Sequence, residues 1–101
     1  MMVIRVLIDV LPEQQDAFVA HMAQEAPTVR AMAGCERYEL FAHASEPQRY
    51  LLYEEWASAE AFGAYQASDT LKQSFAVLGP MLAGPADSAY FRATLDGPGP
   101  R

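Results

Sequence analysis

An α+β domain, with helices packed on one face of an antiparallel sheet, is what the sequence predicts, and three observations carry that expectation. Apolar residues alternate with a period of two in several short runs. Helical spacing governs the segments between them. Turn and capping residues mark the joins. The 101 residues suit one domain and are too few for two separate cores. A chain of this length buries roughly two-thirds of its unfolded surface, enough to fold without disulfide or metal.

The first run, Met2 to Val10, sets Ile4, Val6, Ile8 and Val10 on one face and Arg5 and Asp9 on the other, which predicts a strand. Pro12 then opens a helix, since proline needs no donor in a first turn and Glu13 and Asp16 suit the positive helix end. Phe18, Met22, Val29 and Met32 follow at near-helical spacing. Pro27 inside that pattern predicts a break or kink, and Arg30 with Gly34 a stop. Residues 35–43 and 48–57 read as two strands joined through Ser45, Glu46 and Pro47, a β-hairpin.

Ser58 predicts the cap of a helix over 58–67, and Ser68 with Asp69 the cap of another over 69–79. Leu71, Phe75, Leu78 and Leu82 form an apolar stripe there, which Gly79 and Pro80 should disturb at its end. Ala89 to Leu95 closes the domain as a short strand, leaving 96–101 as a frayed tail and 1–95 as the folded unit. The order is βαββαβ with the second helix in two pieces, the ferredoxin-like arrangement. Tyr50, Leu52 and Trp56 occupy one face of the third strand, and Leu51 and Tyr53 the other. Helices can cover one face only, so a homodimer through the sheet faces is expected.

The formal net charge is −6, and the six Arg and one Lys are scattered singly. Nucleic-acid phosphates and acidic membrane surfaces both need clustered cations, so neither is an expected partner. No apolar run is long enough to span a bilayer. Met1 to Val10 lacks a small-residue cleavage site and reads as no signal peptide, so a cytoplasmic location is expected. A lone Cys35 and two separated histidines, His21 and His43, offer no disulfide and no metal site, and no cofactor is expected. Cys35 reads as a small buried apolar group and His43 as a surface residue. No nucleophile-elbow, paired-histidine or glycine-rich phosphate motif is present. Glu54 and Glu55 are strand neighbours that point to opposite faces, so they should not converge on one substrate. Pairing of one of them across the dimer with Arg49 or Arg92 is the expected, structural role.

The opening strand with Pro12-Glu13, the Gly34-Cys35 step, and above all the stretch YLLYEEWASAEAFGAYQAS at 50–68 carry a family likeness. Its most specific part is Glu54-x-Trp56 followed by Ser58, Glu60, Ala61 and Phe62. On these residues the chain resembles an antibiotic biosynthesis monooxygenase (ABM) domain of the dimeric α+β barrel superfamily. The resemblance implies a dimer in which two sheets pack together. It also implies a cofactor-free oxygenase acting on a small phenolic or quinol-type aromatic. Other activities found among such domains leave alternatives open: a non-catalytic dimeric module that binds a small hydrophobic ligand, or a small-metabolite isomerase. Tyr65 stands where members usually carry a helical His, and the haem-degrading set of Asn, Trp and helical His is incomplete here.

Trp56, Tyr65 and His21 are the candidate catalytic residues. Trp56 is either the wall of a substrate pocket or a core anchor whose N–H finds an acceptor. Tyr65, three residues after Phe62 on one helix face, is either a hydrogen-bond donor to a developing oxyanion or a packing residue. His21 is the only helical His, hence a candidate base, or a boundary residue beside an apolar stripe. Phe18, Phe62 and Phe75 are the expected substrate-binding aromatics, in a pocket between helices and sheet.

Overall fold

The structure, a computed structural model, describes residues 1–100. Its elements are β1 (Met2–Asp9), α1 (Gln15–Arg30), β2 (Cys35–Ala42), β3 (Arg49–Trp56), α2 (Ala59–Gln66), α3 (Asp69–Leu78) and β4 (Asp87–Arg92). Two 3-10 turns, Pro12–Gln14 and Gly79–Met81, lead into α1 and out of α3. The four strands form one antiparallel sheet in the order β2-β3-β1-β4. That is the ferredoxin-like α+β topology the element order predicts. No helix among the described residues is long and apolar enough to cross a membrane.

The capping residues act as their positions predict. The Ser58 hydroxyl accepts from the Ala61 N–H at 3.1 Å, and the Ser68 hydroxyl from the Leu71 N–H at 3.2 Å. Gly34 adopts φ +80°, and a side chain there would collide with Ala61 on α2. Its carbonyl accepts from the Ala57 N–H at 2.8 Å, so the turn before β2 is fastened to the end of β3. Only glycine fits both the left-handed backbone and the close approach.

The inward face of the sheet is built by register. Ile4 lies opposite Glu54 on β3 and Tyr90 on β4, and Glu54 lies opposite Tyr38 on β2. Phe18, Met22, Ala26 and Val29 bring one face of α1 down on this side and are all buried. The outward face carries Val3, Leu7, Leu51, Phe41 and Phe91 among ion pairs, and no helix of the described residues packs on it.

Several expectations need correction. Pro27 does not break α1, which runs on to Arg30. Pro27 and Ala23, whose carbonyl loses its donor, both lie on the solvent side, where water can replace the bond. α1 proper begins at Gln15, because Pro12–Gln14 winds as a 3-10 turn. β4 runs Asp87–Arg92, earlier than the expected 89–95, and 93–100 has no regular structure; Arg101 lies outside the described residues. Cys35 is partly exposed rather than buried. The carboxylates of β3 find partners within their own chain. Glu55 accepts from the Tyr53 hydroxyl at 2.6 Å and faces Arg37 at 3.7 Å, whereas Arg49 holds Asp9 at 2.9 Å.

Candidate active site

A cavity of about 470 Å³ lies between α3 and the inward face of the sheet. Ile4, Val6, Ile8 and Leu52 form its floor, Phe18 and Met22 one side, and Leu71, Phe75 and Leu78 the opposite side. Its volume is in the range of small-molecule sites, and its walls are mostly apolar with a few polar groups among them. The helices create this space. α1 and α2 pack onto the sheet, but α3 buries only Ser74 and leaves its apolar stripe facing the void.

Glu54 is the buried charged group of this lining. It occupies an inward position of β3 and is 3% exposed. Its Oε1 accepts the Trp56 indole N–H at 2.9 Å, and the carboxyl lines the cavity. Burial raises its pKa to about 7, against the smaller opposing effect of the Trp56 hydrogen bond. A carboxyl so tuned exchanges a proton near neutral pH. Tyr38 and Tyr65 line the cavity beside it, ring to ring edge-on at 6.4 Å. Burial pushes both phenols well above the ordinary tyrosine range, so they remain protonated donors. Behind Tyr65 lies Trp56, stacked on it at 4.9 Å and 20°. Phe62 touches both rings and meets Tyr90 of β4 edge-on at 5.0 Å.

A second polar group lies on the helical side. Ser74 donates to Glu25 Oε2 at 3.0 Å, and both line the cavity. His21 Nε2 is 3.2 Å from the Ser74 oxygen. A hydroxyl has one proton, so with Ser74 donating to Glu25 the His21 N–H is the donor in that contact. Among the described residues no three His, Cys, Asp or Glu side chains gather as metal ligands.

The family model that describes antibiotic biosynthesis monooxygenases matches residues 1–77. The chain belongs to the antibiotic biosynthesis monooxygenase family. Among solved structures it is similar to Rv0793 from Mycobacterium tuberculosis, with 22% identity, 97% of this chain and 98% of that one covered, and a TM-score of 0.86. Protein SO0527 from Shewanella oneidensis is 27% identical over 89% of this chain and 87% of its own, with a TM-score of 0.81. A third structure, an antibiotic biosynthesis monooxygenase by name, is 17% identical over 94% of this chain and 100% of its own, at 0.85. No curated protein matches the chain.

Within this family frame, the residues singled out from sequence fall into three places. Tyr65, Phe62, Phe18 and Phe75 line the cavity, Phe75 at its rim with 65% exposure. Trp56 is fully buried and stands behind the wall, so its expected place as the wall itself is corrected. Its size and its stacking on Tyr65 keep it in the core, and it meets the cavity lining through Glu54, Phe62 and Tyr65. His21 also lies outside, its ring on the far side of Ser74, because position 21 is turned from the buried line of Phe18 and Met22. Glu54 and Tyr38 were missed. The signal for Glu54 was present: it falls between Leu52 and Trp56 in a row of inward positions, where a carboxylate is exceptional.

Proposed function

We propose that this ABM-family protein is a cofactor-free monooxygenase for a small phenolic or quinol-type aromatic, bound in the cavity beneath α3. The observation that carries the reading is Glu54, a buried carboxyl whose pKa lies at about 7 inside an aromatic chamber. In its ionised form Glu54 takes the acidic proton of an anthrone- or quinol-like substrate. The resulting anion gives one electron to dioxygen, and the radical pair recombines to form a carbon–oxygen bond. The hydroperoxide then loses water, leaving one oxygen atom as a new carbonyl and the other in water. Tyr38 and Tyr65, held protonated, donate to the oxyanion and to the peroxide. The apolar floor and the rings around it limit the water that reaches the reactive anion.

The outward sheet face supports the second half of the proposal, a homodimer. Phe41 and Phe91 are 47% and 50% exposed in the single chain, with Val3, Leu7 and Leu51 between them. An interface of more than about 1,000 Å² would cover them. Light scattering should therefore return twice the chain mass at micromolar concentration, and the monomer mass would overturn the dimer.

Oxygen uptake with a panel of anthrones and naphthoquinols, with a metal chelator present, tests the chemistry. Glu54→Gln should lower turnover by about 10²- to 10⁴-fold, as loss of a general base does. Tyr65→Phe should lower it by roughly 10- to 1,000-fold with the dimer intact. Saturable ligand binding without oxygen uptake would favour the binding-module reading. Isomerisation of the ligand would favour the isomerase.

A further inference from the structure

Resting on the assignment of the cavity as the substrate site, we propose that it admits uncharged aromatic molecules bearing a hydrogen-bond donor and rejects their anionic analogues. Two carboxylates, Glu25 and Glu54, enter the lining, and no Lys, Arg or His does so among the described residues. Four of the described arginines are engaged elsewhere. Arg30 donates to the Tyr38 carbonyl at 3.0 Å, and Arg5, Arg37 and Arg49 pair with acids on the outward face or its edge. An anion entering this space loses its water and gains no full counter-charge; the Tyr38 and Tyr65 phenols can donate to it, but Glu25 and Glu54 oppose it with charge of its own sign.

A donor meets the opposite situation. Glu54 Oε1 is occupied by the Trp56 N–H, while no described side chain donates to its Oε2. The carboxyl lines the cavity, so a ligand hydroxyl can donate to that oxygen in place of water. The apolar floor and the rings of Phe18, Phe62 and Phe75 take the flat body of the ligand. The class selected is thus an aromatic that carries its polarity as hydroxyl groups, without carboxylate, sulfate or phosphate substituents.

Calorimetric titration of the intact protein at pH 8 under argon tests this with three probes on one ring system: 2-naphthol, 2-methoxynaphthalene and 2-naphthoate. The naphthol should bind about 10-fold tighter than the ether, which cannot donate. It should bind roughly 100-fold tighter than the naphthoate, which brings like charge against a poorly hydrated carboxylate. Glu25→Gln and Glu54→Gln should each narrow the naphthol-to-naphthoate ratio by about 10-fold, and two near-isosteric variants guard against one misfolding. Naphthoate binding as tightly as naphthol, or the ether matching it, overturns the inference. The predicted order without oxygen uptake by any anthrone or naphthoquinol of the panel leaves the selectivity standing and sinks the oxygenase. Oxygen uptake with anionic substrates does the reverse. Failure of all three probes to bind at millimolar concentration sinks both.

Discussion

Helices α1 and α3 lie over the same face of one sheet and use it in opposite ways. α1 drives Phe18, Met22, Ala26 and Val29 into the core, and Phe18 sits 5.1 Å from the Tyr50 ring. α3 carries a comparable stripe, Leu71, Phe75 and Leu78, yet the one side chain it buries is Ser74. Beneath α1 the sheet supplies side chains that meet the helix; beneath α3 it supplies a chamber. An apolar stripe therefore tells which side of a helix looks inward, and does not tell whether anything fills the space there. In this fold one helix holds the domain together and the other roofs a cavity.

Substitutions should separate the two roles. Phe18→Ala empties a fully buried ring position and should cost about 3–5 kcal/mol in denaturant unfolding, enough to threaten the fold. A loss below about 1 kcal/mol would mean that the α1 side is as loosely filled as the α3 side. Glu54→Gln comes next. The folded-state pKa of Glu54, about 7, lies above its ordinary 4.5, so the folded chain holds this proton more tightly than the unfolded one. Its contribution to stability is complete below pH 4.5 and is lost as pH rises through about 7, an effect of roughly 3 kcal/mol. The variant should therefore gain on the native chain by about that amount between pH 4 and pH 8. Parallel unfolding curves at the two pH values would show Glu54 to be hydrated and the cavity wet around it.

Gly34→Ala should cost about 2 kcal/mol or more, through the positive φ and the collision with Ala61. Crystallography of that variant would show α2 displaced from the end of β3. Phe75→Ala should be the mildest, within about 0.5 kcal/mol in thermal unfolding, because the ring is mostly exposed. Its effect should appear as weaker binding of a naphthol probe. A large stability loss at Phe75 would erase the distinction between the two helices.

The fold was readable because local signals agreed with one another. The alternation in β1, the Ser58 and Ser68 caps and the Gly34 stop each sit where the structure needs them. Pro27 misled because its cost depends on which side of the helix the orphaned carbonyl faces, and that is a tertiary fact. The cavity was only partly readable. Phe18, Phe62 and Tyr65 follow from helix faces, whereas the emptiness under α3 depends on how far that helix stands from the sheet. In the sequence Glu54 reads as half of an acidic pair with Glu55. Its inward parity, shared with Leu52 and Trp56, outweighs its charge as a positional signal.

Trp56 is the only tryptophan in the chain, and its indole N–H is given to Glu54. Excitation shifts electron density from the pyrrole toward the benzenoid ring, so charge placed at that N–H changes the energy of the emitted light. Shielded from solvent and packed against Tyr65, the indole has few other sources of spectral change. The tryptophan emission of this protein should therefore shift as Glu54 gains or loses its proton, and the shift should be absent in Glu54→Gln.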